Sequence, residues 1–419
     1  MTYLCAVKKQ RIVIVGGGAA GFFAAANMAE MAPENEYVIL EQSPNVLGKV
    51  KISGGGRCNV THASFVPREL SKAYPRGEKA LLGPFHKFMT GDVMGWFEER
   101  GVPLKIEDDG RVFPESDQSQ SVIDCLLSVI DKHHVEVRTR HRVEEIIPNE
   151  DGPGFEIHTK DGWTDADKVL VATGSNASIW KLMQELGHQV VSPVPSLFTF
   201  NIKDLRIDGL AGLTVPEAEV SIPGTKLLEQ GPLLVTHWGV SGPAILRLSA
   251  WGARALADKD YDFQLKVNWM AGRDANHIME DIQLRRERDA RKRVSGHVQY
   301  GLPQRLWRSL VAAAMIGPDV QWANLSKVQA QSLAEQLTSG LYQVKGKSTF
   351  KEEFVTAGGV VRKEINFKTM ESKVVPGLYF AGEVLDVDAI TGGYNFQAAW
   401  TGAWLAAQAM IEEDMKRVE

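Results

Sequence analysis

The sequence lacks the features of a disulfide-stabilised, secreted or membrane-spanning protein. Its 419 residues contain only three cysteines, Cys5, Cys58 and Cys125, too few and too scattered for a disulfide framework, and this usage fits a reducing cytoplasm. No run approaches the roughly 18 consecutive apolar residues of a membrane-spanning helix. Residues 1–10 lack the apolar core and the small-residue cleavage site of a secretory signal. We therefore predict a cytoplasmic protein.

A large excess of one charge and a long internal repeat are also missing. The chain has 47 Lys and Arg against 52 Asp and Glu, so its formal charge of −5 gives no overall attraction to nucleic acid. No repeat with a period of about 20–50 residues is evident, which argues against a solenoid. A hydrophobic content of 44% and a charged content of 24% are ordinary for globular proteins and exclude a disordered chain. The length predicts two or three domains.

Glycine is abundant, with 39 residues, and its first cluster has a defined context. A β-branched run at 11–15 (RIVIV) is followed at once by 16–21 (GGGAAG), by alanine-rich helical sequence to Met31, and by a second apolar run at 37–40. This order predicts a β–turn–α–β unit, and therefore a parallel sheet with a right-handed crossover.

The spacing of these glycines is typical of dinucleotide binding. Gly16 permits a tight turn, Gly18 lets the backbone approach a pyrophosphate, and Gly21 lets the helix and strand pack closely. Glu41 ends the next strand, 20 residues after Gly21, where a carboxylate accepts hydrogen bonds from ribose hydroxyls. The helix N-terminus offers N–H groups to the phosphates. The alternative, a glycine-rich turn in an unrelated α/β protein, is much less favoured.

Glu41 would suit NAD or FAD, but two later segments favour FAD. A buried-type strand at 168–172 ends in Thr173 and Gly174, and the segment 377–383 (GLYFAGE) has a small-residue turn after its strand. Such a turn can place backbone N–H groups near the anionic edge of a flavin. The alternative interpretation of each segment is simply a buried strand followed by a turn.

Three further glycine-rich segments combine flexible backbone with reactive side chains. The segment 53–62 (SGGGRCNVTH) places Arg57 where it could meet a phosphate or a developing anion, although a surface loop with an inert cysteine is the alternative. In 386–397 (DVDAITGGYNFQ) the two glycines permit positive φ before a helix predicted from about Asn395. In 236–243 (THWGVSGP) His237 is as suited to a structural role as to proton donation.

These segments resemble the BaiN/YhiN-like flavoproteins, which also carry the label of NAD(P)/FAD-dependent oxidoreductases of the aminoacetone oxidase family. The resemblance spans nearly the whole chain, and two of its motifs, 52–61 and 377–397, are close to diagnostic. It rests on the following ranges: 16–21, 52–61, 234–244, 354–360, 369–373 and 377–397.

The resemblance implies an α/β fold in which a Rossmann-like FAD-binding domain of the two-dinucleotide flavoprotein type is interrupted by a small β-barrel with a helical insertion. Changes in the hydrophobic pattern near 195, 270 and 338 agree with this. Residues 196–268 have short runs of alternating apolar and polar residues, and residues 272–338 are charged and helical in pattern. The expected domains are the FAD domain at 1–195 and 345–419, the barrel at 196–270 and 338–355, and the helical insert at 271–337.

By position, the resemblance implies a set of cofactor-binding residues. It assigns the pyrophosphate to the 16–21 turn and the ribose to Glu41, and it places Lys49 and the 56–59 segment near the flavin, with 382–397 on its other side. Three departures are Gly48, Ser175 and Ala389, which replace an arginine and two glycines common in the family. The assigned residues are Gly16, Gly18, Ala19, Ala20, Gly21, Glu41, Gln42, Lys49, Gly56, Arg57, Asn59, Val143, Thr173, Gly174, Gly382, Glu383, Gly393, Asn395, Phe396 and Gln397.

The resemblance also implies a reaction. Members are assigned to reduction of conjugated C=C bonds in dehydro-bile acids or of uridine to dihydrouridine in ribosomal RNA, which share hydride transfer from the reduced flavin and protonation of the neighbouring carbon. We hypothesise that Cys58 donates the proton and Arg57 stabilises the developing charge. No second dinucleotide fingerprint is visible, so NAD(P)H as electron donor would bind without a dedicated domain.

One cluster bears on the substrate. Residues 285–293 hold six positive and two negative charges: Arg285, Arg286, Arg288, Arg291, Lys292 and Arg293 against Glu287 and Asp289. They would contact RNA phosphates, or form a solvated helix face with internal ion pairs, which is the commoner situation. Trp307 nearby would stack on bases or lie in the core. A flavin-dependent amine oxidase and a flavin-containing RNA-binding protein without turnover are the alternative functions.

Overall fold

The structure is a computed structural model that describes residues 9–296, 298–348 and 355–415. Cys5 and Phe354, the first residue of the 354–360 motif, lie outside the described residues. The strands are β1 (Arg11–Val15), β2 (Glu36–Glu41), β3 (Thr61–His62), β4 (Leu104–Ile106), β5 (Arg111–Pro114), β6 (Glu136–Thr139), β7 (Val143–Pro148), β8 (Phe155–Thr159), β9 (Gly162–Ala166), β10 (Lys168–Val171), β11 (Val190–Ser196), β12 (Thr199–Ile202), β13 (Thr214–Ser221), β14 (Leu228–Val235), β15 (Gly239–Ser241), β16 (Asp262–Asn268), β17 (Gly340–Ser348), β18 (Val355–Val360), β19 (Ile365–Asn366), β20 (Glu371–Ser372) and β21 (Leu378–Phe380).

The helices alternate with these strands in the first part of the chain and cluster between β16 and β17. They are α1 (Ala19–Met31), α2 (Gly48–Gly56), α3 (Pro67–Ser71), α4 (Glu78–Phe85), α5 (Thr90–Glu98), α6 (Ser119–Lys132), α7 (Ala177–Glu185), α8 (Pro243–Ala257), α9 (Ala275–Arg288), α10 (Gln304–Ala313), α11 (Lys327–Thr338) and α12 (Tyr394–Met415), with short 3₁₀ turns at Trp322–Asn324 and Arg362–Glu364. Within the described part of the chain, no helix is both long enough and apolar enough to cross a membrane.

Contacts divide the chain into two compact units. The first comprises residues 1–194 and 355–419, and the second comprises residues 195–354. The first unit is therefore discontinuous in sequence, with the whole second unit inserted between β11 and β18.

A seven-stranded sheet organises the first unit, in the order β19-β20-β21-β10-β1-β2-β6. The five strands from β21 to β6 are parallel, and β19 and β20 add an antiparallel edge. Both β1 and β10 are buried along almost their whole length, as expected of parallel strands covered on both faces. Because parallel strands share one carboxyl edge, the turns that follow β1, β2, β10 and β21 converge there.

Helix α1 is buried along most of its length, because it packs against α12 and α6 and against strands β1 and β2 of the sheet. Its sequence is accordingly apolar all round rather than amphipathic. Phe23 lies in an aromatic cluster with Phe88, Trp96, Phe97 and Trp400, at centroid separations of 4.5–6.2 Å. This cluster ties α1 to α5 and α12.

Three small sheets complete the first unit: β3-β5-β4, β7-β8-β9 and β11-β18. In the first of these, His62 pairs with Arg111, and Lys105 pairs with Phe113. Because side chains alternate along a strand, His62, Arg111, Phe113 and Lys105 share one face of this sheet.

The second unit is built on a closed barrel of six strands, in the order β12-β15-β14-β13-β16-β17. Helix α8 packs against β14, and α9, α10 and α11 are inserted between β16 and β17. The predicted Rossmann-like α/β domain with a small β-barrel and a helical insertion is therefore confirmed.

The helical insertion differs in one detail from its sequence pattern. Leu306, Leu310 and Val311 are buried on one face of α10, as their spacing indicates. Met315 has the same spacing, but the helix ends at Ala313 and Met315 adopts a positive φ of 56° with 83% of its surface exposed. Helical periodicity alone does not reveal that the chain leaves the helix before its last apolar position.

We predict that Gly21→Ala destabilises the protein by about 3 kcal/mol or more, because overpacking against the backbone cannot be relieved by side-chain rotation. A Cβ at Gly21 would lie 2.0 Å from the carbonyl oxygen of Gly16. Thermal unfolding followed by circular dichroism measures the loss. Gly18→Ala is the matched control, because a Cβ there meets no heavy atom within 4 Å. Equal melting temperatures for the two variants would contradict this account of the packing.

Candidate dinucleotide-binding site

The glycine turn after β1 contains two glycines that the chain itself requires. Gly16 has a φ of +113°, and a Cβ there would lie 2.6 Å from the carbonyl oxygen of Ala172. Gly21 faces the carbonyl oxygen of Gly16, as described above. Both glycines therefore let β1, β10 and α1 approach one another closely.

Gly18 is different, because nothing inside the protein explains it. Its φ of −92° is available to any residue, and its missing side chain faces open space. It is the N-cap of α1, where no side chain caps the helix. A glycine at this position would let a group outside the chain, such as a pyrophosphate, come close to the backbone. Ala19 and Ala20 follow as the first residues of the helix.

Glu41, at the end of β2, is held in a fixed orientation. One carboxylate oxygen accepts from the Gly17 N–H at 2.8 Å, and the other accepts from the Ser43 N–H at 2.7 Å. Oxygens of a carboxylate can accept further bonds, so this carboxylate can still bind a ribose hydroxyl. Gln42 beside it accepts a 3.2 Å bond from Asn176.

The segment before β7 also approaches this edge. The Arg140 N–H donates to the Ser43 carbonyl at 3.0 Å, and the His141 N–H donates to the Glu41 carbonyl at 2.8 Å. Val143, which begins β7, is buried three residues after Arg140. The structure thus places the Val143 segment beside the carboxylate expected to bind the ribose.

The turns after β10 and β21 meet at the same edge. Gly174 has a φ of +64°, and a Cβ there would lie 3.9 Å from a carboxylate oxygen of Glu383. That oxygen accepts a 2.6 Å bond from the ammonium group of Lys49. Gly382 lies between the methyl groups of Ala20 and Ala399. Lys49, Gly174, Gly382 and Glu383 are thereby brought together around the start of α1.

The glycine-rich segment 53–56 is a kink rather than a regular helix. Ser53 is extended, and Gly54, Gly55 and Gly56 have φ values of 58°, 69° and 87°. Gly54 packs against Phe113, whereas a Cβ at Gly55 or Gly56 would meet nothing within 4 Å. The kink therefore presents exposed backbone without side chains.

Cys58 follows this kink with a φ of 62° and no exposed surface. Burial raises the pKa of its thiol to about 12, and a hydrogen bond with Ser53 opposes that rise only weakly. The thiol therefore keeps its proton at neutral pH. Its hypothesised role as proton donor stays a prediction, and it requires that the sulfur become accessible to substrate.

Arg57 lies over the ring of Phe113, with 3.9 Å from the guanidinium carbon to the ring centroid. Its guanidinium donates to Glu107 at 2.6 Å and to Asp117 at 3.4 Å. The Glu107 carboxylate raises the pKa of Arg57, so its charge is permanent. About a third of the side chain is exposed, and its charge is already partly balanced by Glu107 and Asp117.

The turn that precedes α12 is closed by its own side chains. Asn395 accepts from the Ala389 N–H at 2.9 Å. With the Asn59 amide oriented by its partners, its oxygen accepts from the Gly393 N–H at 2.9 Å. Gln397 is fully buried and bonds Thr61 and Thr401, and Phe396 stacks on Trp400. These side chains hold the turn from inside, and Gly392 and Gly393 stay only partly exposed.

Two ion pairs that the sequence did not single out anchor the same segment. Arg76 makes a bidentate pair with Asp388, whose side chain has no exposed surface. Arg362 pairs with Asp386 at 3.2 Å. Asp386 and Asp388 thus anchor the turn through these ion pairs. Their alternate spacing in the sequence was the signal that could have indicated this role.

A narrow cleft beside Glu383 and Asn395 holds a cavity of about 10 Å³, which is about the room that one water molecule needs. Most of its lining is apolar and comes from four separate segments of the first unit. The sequence analysis missed this apolar wall, although Met370, Leu385 and Val387 lie in recognised motifs, because a motif does not show which side chains line a cleft together. The additional lining residues are Leu81, Phe367, Met370, Leu385, Val387 and Ala398.

The basic cluster lies in the second unit and is partly internal. Arg285 is 15% exposed and pairs with the buried Asp289, and Arg286 donates to the Leu325 carbonyl. These two arginines therefore support the fold rather than present their charge to RNA, which corrects that part of the prediction. Trp307 is fully buried and donates to the Val294 carbonyl, so it belongs to the core.

The remaining four cations of the cluster are exposed. Arg288 is 75% exposed, Lys292 is 55% exposed and Arg293 is 64% exposed. Arg291 is exposed as well. Their charge is only partly neutralised, since Arg288 and Lys292 share Asp289 and Arg293 pairs with Asp319.

Comparisons with known proteins agree with this architecture. The ribosomal RNA dihydrouridine synthase of Escherichia coli K12 is 30% identical over 383 residues, which cover 87% of this chain and 89% of that protein. The 3-dehydro-bile acid delta(4,6)-reductase of Clostridium scindens is 27% identical over 412 residues, 96% of this chain and 99% of that protein.

Among solved structures, 3-ketosteroid delta1-dehydrogenase from Sterolibacterium denitrificans, in complex with 1,4-androstadiene-3,17-dione, shares the fold. Its TM-score is 0.53 at 12% identity, covering 97% of this chain and 100% of that one. Residues 10–409 match the family described as HI0933-like protein Rossmann domain. The chain therefore belongs to this HI0933-like Rossmann-domain family of flavin-dependent oxidoreductases.

Proposed function

We propose that this flavin-dependent oxidoreductase binds FAD at the carboxyl edge of the parallel sheet and reduces an activated C=C bond, with uridine in ribosomal RNA as its substrate. The observation that carries FAD binding is Gly18, whose lack of a side chain serves no contact within the protein. The names of the two relatives support the reaction, because both describe the reduction of a C=C bond or its product.

The residues at the sheet edge fit FAD in charge and in shape. The open backbone at Gly18 would receive the pyrophosphate, and Glu41 would bind the adenosine ribose. Lys49 offers a cation that can exchange its Glu383 partner for a phosphate oxygen, since more than half of its side chain is exposed. The exposed glycine backbone at 55–56 would let the flat flavin ring approach closely.

Bound and reduced, FAD supplies the hydride for the substrate carbon. The protein must then stabilise negative charge on the substrate oxygen and deliver a proton to the neighbouring carbon. Arg57 has the permanent charge and the partial exposure for the first task. Cys58 has a retained proton for the second, provided that its sulfur becomes accessible. We further propose NAD(P)H as the electron donor, bound without a Rossmann domain of its own.

The charge distribution supports an RNA substrate. Residues 195–354 carry 20 Lys and Arg against 17 Asp and Glu, whereas the rest of the chain carries 27 against 35. The exposed cations at 288–293 lie in this second, more basic unit, and cations of this kind can contact phosphates. A small conjugated enone is the second candidate, favoured by the similarity to the 3-dehydro-bile acid delta(4,6)-reductase.

We predict that Gly18→Ala weakens FAD binding about tenfold or more, because a methyl group occupies space that the pyrophosphate needs. Titration of the apoprotein with FAD, followed by flavin fluorescence, measures the affinity. The melting temperature of the apoprotein should stay at the wild-type value, which separates a binding defect from a folding defect. Wild-type affinity in this variant would remove the main support for the site.

We predict that Cys58→Ala retains FAD and slows substrate reduction about 100-fold or more, the range typical of losing a general acid. Single-turnover reduction of a uridine-containing rRNA fragment by the photoreduced protein measures the step. Cys125→Ala is the matched control, since Cys125 is also a buried free thiol. Unchanged turnover in the Cys58 variant would remove this residue from the mechanism.

We predict that replacing Arg288, Arg291 and Arg293 with Gln weakens binding of rRNA fragments and lowers the salt dependence of affinity by about one unit of slope per residue lost. Fluorescence anisotropy at a series of salt concentrations measures both quantities. Reduction of a small enone should be unaffected.

The control for this prediction carries the same charge change elsewhere in the second unit. Lys226, Lys259 and Lys327 are exposed in the structure, and their replacement with Gln should leave the slope nearly unchanged. An equal loss in both triple variants would mean that general charge, not this segment, governs RNA binding.

A further inference from the structure

His62 holds a position at the end of β3 that the proposed chemistry does not yet use. Its backbone is fixed by pairing with Arg111 of β5 and by a 2.9 Å bond from the Thr90 hydroxyl to the His62 carbonyl. The direction of its side chain is therefore set by the small β3-β5-β4 sheet.

The imidazole ring contacts the turn before α12 in two ways. Nδ1 lies 3.1 Å from the carbonyl oxygen of Gly392. The ring also stacks on Tyr394, with centroids 4.4 Å apart and planes at 25°. Since a carbonyl oxygen can only accept, Nδ1 carries the hydrogen in this contact.

Neighbouring backbone restricts the movement of both the His62 ring and the 392–394 turn. A Cβ at Gly392 would lie 3.3 Å from Nδ1, and a Cβ at Gly110 would lie 2.7 Å from Nε2. A Cβ at Gly393 would lie 2.5 Å from the carbonyl oxygen of Thr61. The glycines thus let the turn press directly onto β3, with the His62 ring between Gly110 and Gly392.

The first residue of α12 is held from a second side. The hydroxyl of Tyr74 donates to the carbonyl oxygen of Tyr394 at 2.6 Å. With the ring of Tyr394 stacked on His62, both the backbone and the side chain of this residue are constrained. The turn that the family resemblance places beside the flavin therefore depends on His62, which is not among the residues assigned to the cofactor.

We propose that His62 is a positioning residue, which fixes the 392–394 turn against FAD through its bond to Gly392 and its stack on Tyr394. The inference rests on the proposed FAD site and adds the residue that sets the geometry of one wall. It assigns His62 no proton transfer.

The protonation state of His62 does not affect this role. Burial lowers the pKa of His62, the Gly392 bond and Asp109 oppose the shift, and Arg111 adds to it. Asp109 and Arg111 come from β5 and the turn before it, and Tyr394 is the titratable group that α12 presents to the ring. Because Nδ1 keeps its hydrogen in the neutral and the cationic ring, the bond to Gly392 persists through the titration.

The test uses full-length protein with FAD added. Two variants separate the hydrogen bond to Gly392 from the stack on Tyr394. His62→Phe keeps an aromatic ring and loses the donor, and His62→Asn keeps a donor near the Nδ1 position and loses the stack. We expect His62→Phe to weaken FAD binding about tenfold and to change the visible circular dichroism of the flavin. His62→Asn should recover FAD affinity to within about threefold of the wild type.

His158→Phe is the matched control. His158 stacks on Trp163 in the same unit, with centroids 4.4 Å apart and planes at 26°. This variant should leave FAD affinity and the flavin spectrum unchanged. If His62→Phe does not fold, His62→Leu, which matches Asn in size but has no donor, should reproduce the spectral change that His62→Asn does not show, with apoprotein melting as the folding check.

The outcomes separate this inference from the proposed function. A wild-type protein that binds no FAD overturns both. A wild-type protein that binds FAD, together with His62→Phe at wild-type affinity and spectrum, overturns the positioning role alone. A pH dependence of kcat that is present in the wild type and absent in His62→Asn would show proton transfer by His62 and would also overturn it.

Discussion

The close approach of α1 to the ends of β1 and β10 is the constraint on which the rest of the first unit depends. No side chain fits at Gly16 or Gly21, because each faces a carbonyl oxygen at 2.6 Å or less. This approach brings the start of α1 beside the turns after β10 and β21 and lets α12 pack on α1. Gly18 lies at the same place without any such constraint, which is why it points to a ligand.

A second level of organisation fixes the turn before α12. The buried carboxylate of Asp388 pairs with Arg76, and Asn59 and Gln397 bond the turn from within. A buried pair of this kind is costly to break from one side, since the remaining charge has no partner. Residues far apart in sequence therefore hold one short segment, which stays partly exposed.

Local patterns in the sequence predicted the parts of the fold that depend on residues close together along the chain. The β1–α1–β2 unit, the position of Glu41 at the end of β2 and the glycine turns follow from short-range spacing, and the resemblance supplied the barrel with its helical insertion. Side-chain partnerships could not be predicted in this way. Glu107 beside Arg57 and Asp289 beside Arg285 depend on how distant segments, or successive helical turns, pack together.

The apolar wall of the cleft was hidden for the same reason. Its members come from four separate segments, and the sequence does not show that these segments meet. Met315 shows that helical periodicity can also predict too much. Its spacing fits the buried face of α10, but the helix ends at Ala313. Motifs indicate the edge of the sheet where the cofactor is proposed to bind, and they say little about what balances the charges there or lines the cleft.

FAD binding is the central claim, and the visible absorption spectrum of the purified full-length protein tests it most directly. The account predicts a flavin spectrum, and it predicts that denaturation releases FAD in near-stoichiometric amount rather than FMN. A protein that is purified without flavin, and that shows no spectral change when FAD is added to the folded apoprotein, would contradict the account.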